Sequence, residues 1–434
     1  MRTIDVGVLL SGSVEFCLNG TFSVGGAQMI TGKEVVSASG KFVEWHGHKF
    51  EKLLFVPMDE NCTFTVYDVV IGIDFHWQRR ENQTFKGELL FFVENGGVRL
   101  VNRIAVEEYL QSVISSEMSS TSSLQLLKAH AVISRSWLYA QLVRKDEHAA
   151  SVSLCERCDD GAVIRWYARE NHVCFDFCAD DHCQRYQGIT RAMNPNVVRA
   201  VEETADIVLV YDGAVCDARF SKCCGGITEA FSSCWENLDV PYLSSFRDAE
   251  PTTDAFDASS EVGARQWIEG REGAFCSAVD ARVLSQVLNG YDRETPDFYR
   301  WTVVYTADEL SNLIKSKSGI DFGCVQELVP IKRGSSGRII ELKIVGTEKS
   351  MVVGKELEIR RWLSPSHLYS SAFVVDKEID ETGIVTFILR GAGWGHGVGL
   401  CQIGAAAMSE KGYDFKNILS HYYPNCELKN INYL

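Results

Sequence analysis

The sequence predicts a multidomain α+β protein, with a β-rich region over 1–100 and a mixed core over 101–434. Three observations predict it. A chain of 434 residues, 46% hydrophobic and 23% charged, has the length of two or three domains and can bury a large core. The first hundred residues alternate apolar and polar side chains, the period of a half-buried strand, and from 106 to 143 the period turns helical. Near the C-terminus an apolar strand, a glycine-rich turn and a helical run follow one another.

The elements can be justified in order. "TFTVYDV" and "GELLFFVENGGVRLV" alternate as strands, and Asn95, Gly96 and Gly97 mark a hairpin turn. "VEEYLQSVI" and "SSLQLLKAHAVISRSWLYAQLV" are helical, the second opening on a capping-box pattern of Ser122 and Gln125. A Cys/His-rich loop occupies 155–187, and strands resume around "ADIVLVYDGAVCDARF". The acidic stretch "RDAEPTTDAFDASSEVG" is expected to lead into an inserted subdomain over 248–330, within which Thr306 and Glu309 cap a helix. "RIIELKIVG" and "MVVGKELEIRRWL" are expected strands, and the last glycine-rich segment feeds a helix that stops at Gly412.

Composition excludes several functions. A formal charge of -15 argues against broad binding to a phosphate backbone, which requires many lysines and arginines, so no nucleic-acid partner is expected. The longest apolar runs, such as "ELLFFV", fall far short of the roughly 20 residues of a membrane span. The opening "MRTIDVGVLL" enters strand-like alternation without the basic, apolar and small-residue regions of a secretory leader. Fifteen cysteines is an odd number, so disulfides alone do not account for all of them.

Four stretches could carry chemistry. In "ISSEMSS", Glu117 is expected on a short serine loop between two helices, a placement that suits a general acid. In the next helix Leu124, Leu127, Ala131, Leu138 and Leu142 form one stripe, and Arg135 falls within it. A guanidinium on an apolar face needs a partner: Glu117, a bound anion, or another acidic side chain or carbonyl. "GAGWGHGVGLCQIGA" has glycine at 391, 393, 395, 397 and 399, an expected bare strand face against which a helix or a polymer could lie. "CERCDDGAVIRWYARENHVCFDFCADDHC" holds Cys155, Cys158, His172, Cys174, Cys178, His182 and Cys183, donors suited to zinc. Disulfides compete for the cysteines but leave the two histidines unexplained. Four protein ligands would leave no open position, so such a zinc would be structural. In "RFSKCCGGITEAFSSCW", Gly225 and Gly226 mark a sharp turn beside Lys222, Cys223, Cys224 and Thr228; a cysteine nucleophile there would need a lowered thiol pKa.

Three of these blocks together resemble one family, the sporulation stage II protein D family, also called amidase enhancers (SpoIID/LytB). "VNRIAVEEYLQSVISSEMSSTSSLQLLKAHAVISRSWLYA" resembles its E-E-Y-L, S/A-E-M, L-K-A-Q-A-V block. "YDGAVCDARFSKCCGGITEAF" resembles its S-x-G-G-x-T-E block, and "GWGHGVGLCQIGAAAMSEKGYDFKNILSHYYP" its closing block. The resemblance spans about 101 to 430 and implies a SpoIID-like mixed catalytic core. It implies a peptidoglycan lytic transglycosylase acting on peptide-stripped glycan strands and leaving 1,6-anhydromuramyl ends, with Glu117 as acid and then base and Arg135 in the active site. It further implies glycan contacts from Lys222, Gly225, Gly226, Thr228, Trp394, His396 and Gln402, and a zinc held by His172, Cys178, His182 and Cys183. The substrate places such a protein in the cell envelope, periplasmic or otherwise extracytoplasmic, with a cell-wall amidase as a partner. The alternative reading is a non-catalytic, denuded-glycan-binding enhancer of an N-acetylmuramoyl-L-alanine amidase; a zinc hydrolase would require an open coordination position. Cys223 and Cys224 depart from the Ser or Thr of many relatives.

Overall fold

A computed structural model describes residues 2–434 apart from 73–77, 148–154, 168–171, 181, 191, 193, 251–255, 271–272, 278–280 and 289–296; for 145–147 and 155–156 it describes the backbone alone. The chain forms two compact units. Unit 1 comprises Met1–Lys145, Arg169–Val208 and Asn430–Leu434, and unit 2 comprises Asp146–Ala168 and Leu209–Lys429.

Unit 1 is built on ten strands: β1 (Thr3–Ser11), β2 (Ser13–Val24), β3 (Gln28–Ser39), β4 (Phe42–Trp45), β5 (His48–Phe50), β6 (Lys52–Pro57), β7 (Thr63–Ile71), β8 (Arg79–Phe85), β9 (Glu88–Glu94) and β10 (Gly97–Ala105). They pair in the order β1-β10-β9-β6-β2-β3-β4-β5, with β7 between β2 and β8. Every pairing among them is antiparallel. Alternation drives this sheet: along β2, Val14, Phe16, Leu18, Phe22 and Val24 are buried, and Phe16 meets Phe55 and Phe91 at ring separations of 5.3 and 5.2 Å. The hairpin expected at 95–97 is a two-residue turn between paired Glu94 and Gly97, with both Asn95 (φ 50°) and Gly96 (φ 80°) left-handed.

The expected boundary near residue 100 falls inside β10, whose end at Ala105 runs straight into α1 (Val106–Glu117). Helix α2 (Leu124–Glu147) follows. Its cap is Ser123, one residue later than the sequence suggests: Ser123 Oγ accepts the Leu126 N–H at 3.2 Å. Nor is α2 one-sided. From 126 to 142 only Lys128 and Tyr139 are partly exposed, so the polar His130, Ser134, Arg135, Ser136 and Gln141 are as buried as the leucines. A helix buried all round shows no apolar stripe that a periodicity argument could isolate.

Unit 2 contains a five-stranded sheet ordered Cys155–Cys158, Ala162–Arg165, Ser350–Gly354, Ile339–Gly346, Val325–Arg333. A three-stranded sheet has Val385–Ala392 between Arg300–Thr306 and Phe373–Ile379. Both share one core, with Trp301, Ile314, Leu342, Ile344, Phe387 and Leu389 among its members. The expected subdomain 248–330 is thus woven in, since its strand Arg300–Thr306 pairs along its whole length with Val385–Ala392. Thr306 and Glu309 form the expected capping box of the helix Ala307–Ser318. In "MVVGKELEIRRWL" the strand stops at Gly354 and Glu356–Trp362 is helical, its Glu/Leu/Ile/Arg run outweighing the strand pattern before it.

Candidate functional site

Glu117 is not on a loop. It is the last residue of α1, half-buried, with Met118 buried behind it as the C-cap. The last helical carbonyls make this end of a helix electronegative, which disfavours a carboxylate relative to a carboxylic acid. Against that, the Arg185 backbone N–H donates to Glu117 Oε1 at 2.9 Å. Two residues on, the Gln187 N–H donates to Ser112 Oγ at 3.1 Å, so segment 185–187 is tied twice to α1. Between the two ties Tyr186 stacks on Tyr109 of α1 at 5.1 Å and places its hydroxyl against Asn102 Oδ1 at 2.5 Å. Both hydroxyls are held well above the usual tyrosine pKa, chiefly by burial, and so stay protonated as donors.

Arg135 does not pair with Glu117. Its fork is taken by Glu107 at the start of α1, Nε to Oε1 at 2.8 Å and Nη2 to Oε2 at 2.5 Å, while Nη1 donates to the Ile207 carbonyl at 3.0 Å. The guanidinium is fully buried. Expected as an active-site group, Arg135 instead fastens α2 to α1 and to the backbone at 207. The sequence signal was correct in demanding a partner; nothing in the spacing could choose between two glutamates ten residues apart on one helix.

The segment that clamps Glu117 begins at the Cys/His loop. Phe177 and Cys178 add to β1 as a parallel strand, and the Ala179 N–H donates to the Gly7 carbonyl at 3.0 Å. Phe175 packs into a cluster with Leu90, Phe92 and Val101 and stacks on His172 at 4.4 Å. A Cβ at Gly7 would lie 2.7 Å from the Phe175 ring, so this docking requires glycine there. His172, Cys178, His182 and Cys183 converge, with one ligand atom from each inside a 4.8 Å cluster. Cys183 Sγ lies 3.5 Å from His172 Nε2 and 3.5 Å from His182 Nδ1, and Cys178 Sγ lies 3.7 Å from His182 Nδ1. Tetrahedral zinc, with Zn–S about 2.3 Å and Zn–N about 2.05 Å, sets an N···S edge of about 3.6 Å. The donors fit. The adjacent Cys183 sulfur and burial push the Cys178 thiol up to about 11 against the opposing pull of the two histidines, so a bound cation is what would hold both sulfurs as thiolates. Of the other donors, Cys174 is exposed and free, Cys158 is disulfide-bonded, and the Cys155 side chain lies outside the described residues.

The remaining expected site residues belong to unit 2. Gly393, Gly395, Gly397 and Gly399 all have φ between 70° and 89°, so past Ala392 the chain is no longer a strand. Its close neighbours are protein: a Cβ at Gly397 would sit 2.4 Å from Arg338 Cζ, and one at Gly399 2.0 Å from the Arg219 carbonyl. The glycines answer to backbone conformation and to the chain's own packing, which corrects the expected bare strand face. Gly225, Gly226, Thr228 and Gln402 are buried. Thr228 Oγ1 accepts the Phe246 N–H at 2.9 Å and pins the turn. Lys222, Trp394 and His396 keep partial exposure; Trp394 stacks on Phe298 at 4.6 Å, and His396 packs edge-on to Trp235 at 5.0 Å. His396 Nδ1 accepts the Val398 N–H at 3.0 Å, and burial with the charges of Arg219, Arg338 and Arg360 holds the ring well below the usual histidine pKa. It is therefore neutral, with its proton on Nε2. Sequence reasoning missed Glu229, fully buried, whose carboxylate accepts from Ala230 N–H at 2.8 Å, Ser233 Oγ at 3.0 Å and Ser336 Oγ at 2.6 Å. Its T-E motif position was the available signal.

Comparison with known proteins agrees with this architecture. Residues 94–211, which carry α1, α2 and the Cys/His loop, match the family model described as Stage II sporulation protein. Residues 229–399 match a domain of unknown function (DUF8618). The chain is 26% identical to an uncharacterised protein of Brachyspira hyodysenteriae over 80% of its own length and 73% of that protein's. It is 26% identical to the amidase enhancer of Bacillus subtilis over 54% of this chain and 33% of the relative, and 22% identical to the stage II sporulation protein D of Bacillus amyloliquefaciens over 76% and 75%. Residues 94–211 thus carry a domain of the stage II sporulation protein family, and the named relatives support the stage II sporulation protein D and amidase-enhancer family for this chain. Among the described residues no helix is long and apolar enough to cross a membrane.

Proposed function

We propose that the chain is a lytic transglycosylase of peptidoglycan glycan strands, acting extracytoplasmically, with Glu117 as its single acid and base. The observation that carries the reading is a half-buried carboxyl at the electronegative end of α1, held in place through one oxygen by the Arg185 N–H. The protonated carboxyl donates its proton to the glycosidic oxygen as the C1–O bond breaks. The resulting carboxylate then takes the proton of the muramic 6-hydroxyl, whose oxygen bonds to C1 and closes the 1,6-anhydro ring. No water enters and the glutamate ends as it began. Hydrolysis with a second carboxylate would need a partner within about 5 to 9.5 Å. Glu107 and Glu108 start the same helix, roughly 13 to 15 Å away along it, and Glu107 is already paired with Arg135.

Zinc fits the His172, Cys178, His182 and Cys183 donors, and a site filled by four protein ligands would be structural. Its work would be to fix the chain through Cys183, two residues before the N–H that holds Glu117. Arg135 is given a structural part, tying α2 to α1 and to the backbone at 207, and none in the chemistry. Of the expected glycan contacts, Lys222, Trp394 and His396 retain surface for a sugar, while Gly225, Gly226 and Thr228 act through the turn they stabilise and Gln402 is buried at the start of the helix Gln402–Glu410.

The name of the Bacillus subtilis relative, amidase enhancer, favours a second reading in which glycan is bound without cleavage and a cell-wall amidase is stimulated. Mass spectrometry of denuded glycan after incubation separates the two. Anhydromuramyl ends are expected from the wild type and should fall by about 10²- to 10⁴-fold in Glu117→Gln, which keeps an oxygen for the Arg185 N–H. Uncleaved strands that are nonetheless bound would establish the enhancer reading, and reducing ends would point to hydrolysis.

A further inference from the structure

A second donor cluster lies in unit 2. Cys224, Asp248, Cys276 and Cys401 each bring a ligand atom within 4.8 Å of the others, and all four residues are buried. They come from four separate stretches of chain, so no sequence spacing announces them. Cys224 Sγ is 3.6 Å from Cys276 Sγ and 3.2 Å from Asp248 Oδ2. A tetrahedral ion with metal–sulfur bonds of about 2.3 Å sets an S···S edge of about 3.8 Å. The separation is close to that edge.

The surroundings are those of thiolate ligands. The Cys224 N–H donates to Cys401 Sγ at 3.2 Å, the Gly404 N–H to the same sulfur at 3.4 Å, and the Gly226 N–H to Cys224 Sγ at 3.3 Å. The left-handed turn at Gly225 and Gly226 (φ 81° and 103°) turns that last amide back on the sulfur. Cys401 is also the N-cap of the helix Gln402–Glu410, where a thiolate is favoured. Asp248 is oriented from behind: Tyr422 Oη donates to Oδ1 at 2.8 Å and His421 Nε2 lies 3.1 Å from the same oxygen, leaving Oδ2 toward the sulfurs. Outer partners of this kind fix the direction of a metal-bound carboxylate. They also give a role to the His-Tyr pair near the C-terminus.

We infer that Cys224, Cys276, Cys401 and Asp248 form a second metal site, closed and thiolate-rich, of the class that takes zinc. Four protein ligands leave no open position, so the site binds unit 2 together rather than acting on substrate. The inference does not depend on the proposed activity. Cys223, buried beside the same sulfurs, is outside the ligand set.

The test is native mass spectrometry and elemental analysis of the full chain, produced with zinc and kept under reductant. Two zinc ions per chain are expected. Cys178→Ser/Cys183→Ser should retain one, and adding Cys276→Ser to that variant should leave none. Asp248→Asn should lose or weaken the second zinc by at least tenfold, and Cys223→Ser should keep both. Where a variant unfolds by circular dichroism, cobalt substitution of the Cys178→Ser/Cys183→Ser protein replaces it, with thiolate-to-cobalt charge transfer expected. A single zinc lost with the first pair, a disulfide among these cysteines in the reduced protein, or unchanged binding in Asp248→Asn would overturn the assignment.

Discussion

Arg135 illustrates how a single residue acquires a role. A guanidinium with no exposed surface needs its donors filled, and the Glu107 carboxylate with the Ile207 carbonyl fills them. Arg135→Ala strands the Glu107 charge and should cost about 3 to 5 kcal/mol of folding free energy, read from denaturant melts. Turnover per folded molecule should stay near wild type. A large loss of turnover in a well-folded variant would show that the arginine reaches substrate after all. Replacing both members, Arg135→Met with Glu107→Leu, should recover most of the stability, because no buried charge is then left unpaired.

At the scale of elements, the Cys/His loop and α1 form one device. The loop is held on β1 by the Phe177–Cys178 pairing and by Phe175, and its continuation carries the Arg185 and Gln187 amides that grip α1. If a metal closes the loop, stripping it with a strong chelator should lower glycan cleavage while leaving the ten-stranded part of the sheet folded. Amide exchange should accelerate over 176–187 and stay slow in β9 and β10. Full activity of protein shown to be metal-free would break the link between loop and glutamate. The helix end matters in its own right, since the expected loop at 114–120 would have left Glu117 mobile and solvated, whereas four buried serine and aliphatic side chains at 113–116 carry the helix through to it.

At the scale of the whole molecule, stability should depend on acid through histidines of unit 2. Burial, aided by Arg360, Arg361 and Lys317, holds His367 down at about 4, and His396 is depressed in the same direction. Both are refused a proton by the folded state that the unfolded chain accepts near pH 6.5. The His367 contribution is therefore complete above about pH 6.5 and is lost progressively as the pH falls toward 4, by up to about 1.4 kcal/mol per pH unit, and His396 adds to the loss in the same direction. Melting temperatures of wild type and His367→Gln across that window should converge as the pH drops. Parallel curves would mean that His367 titrates normally.

The local, periodic features were determined by the sequence itself: the alternating strands of 1–100, the Asn95-Gly96 turn, the capping box at Thr306 and Glu309, and the four metal-type donors between 172 and 183. Each rests on interactions between near neighbours along the chain, which spacing encodes directly. Only the tertiary structure decided that α2 is buried on all sides, that Arg135 answers to Glu107, and that the C-terminal glycines serve the chain's own packing. It alone gathered Cys224, Asp248, Cys276 and Cys401. These outcomes turn on which distant segments share a dry interior, where an unsatisfied charge or amide is costly, and no period in the sequence records that choice.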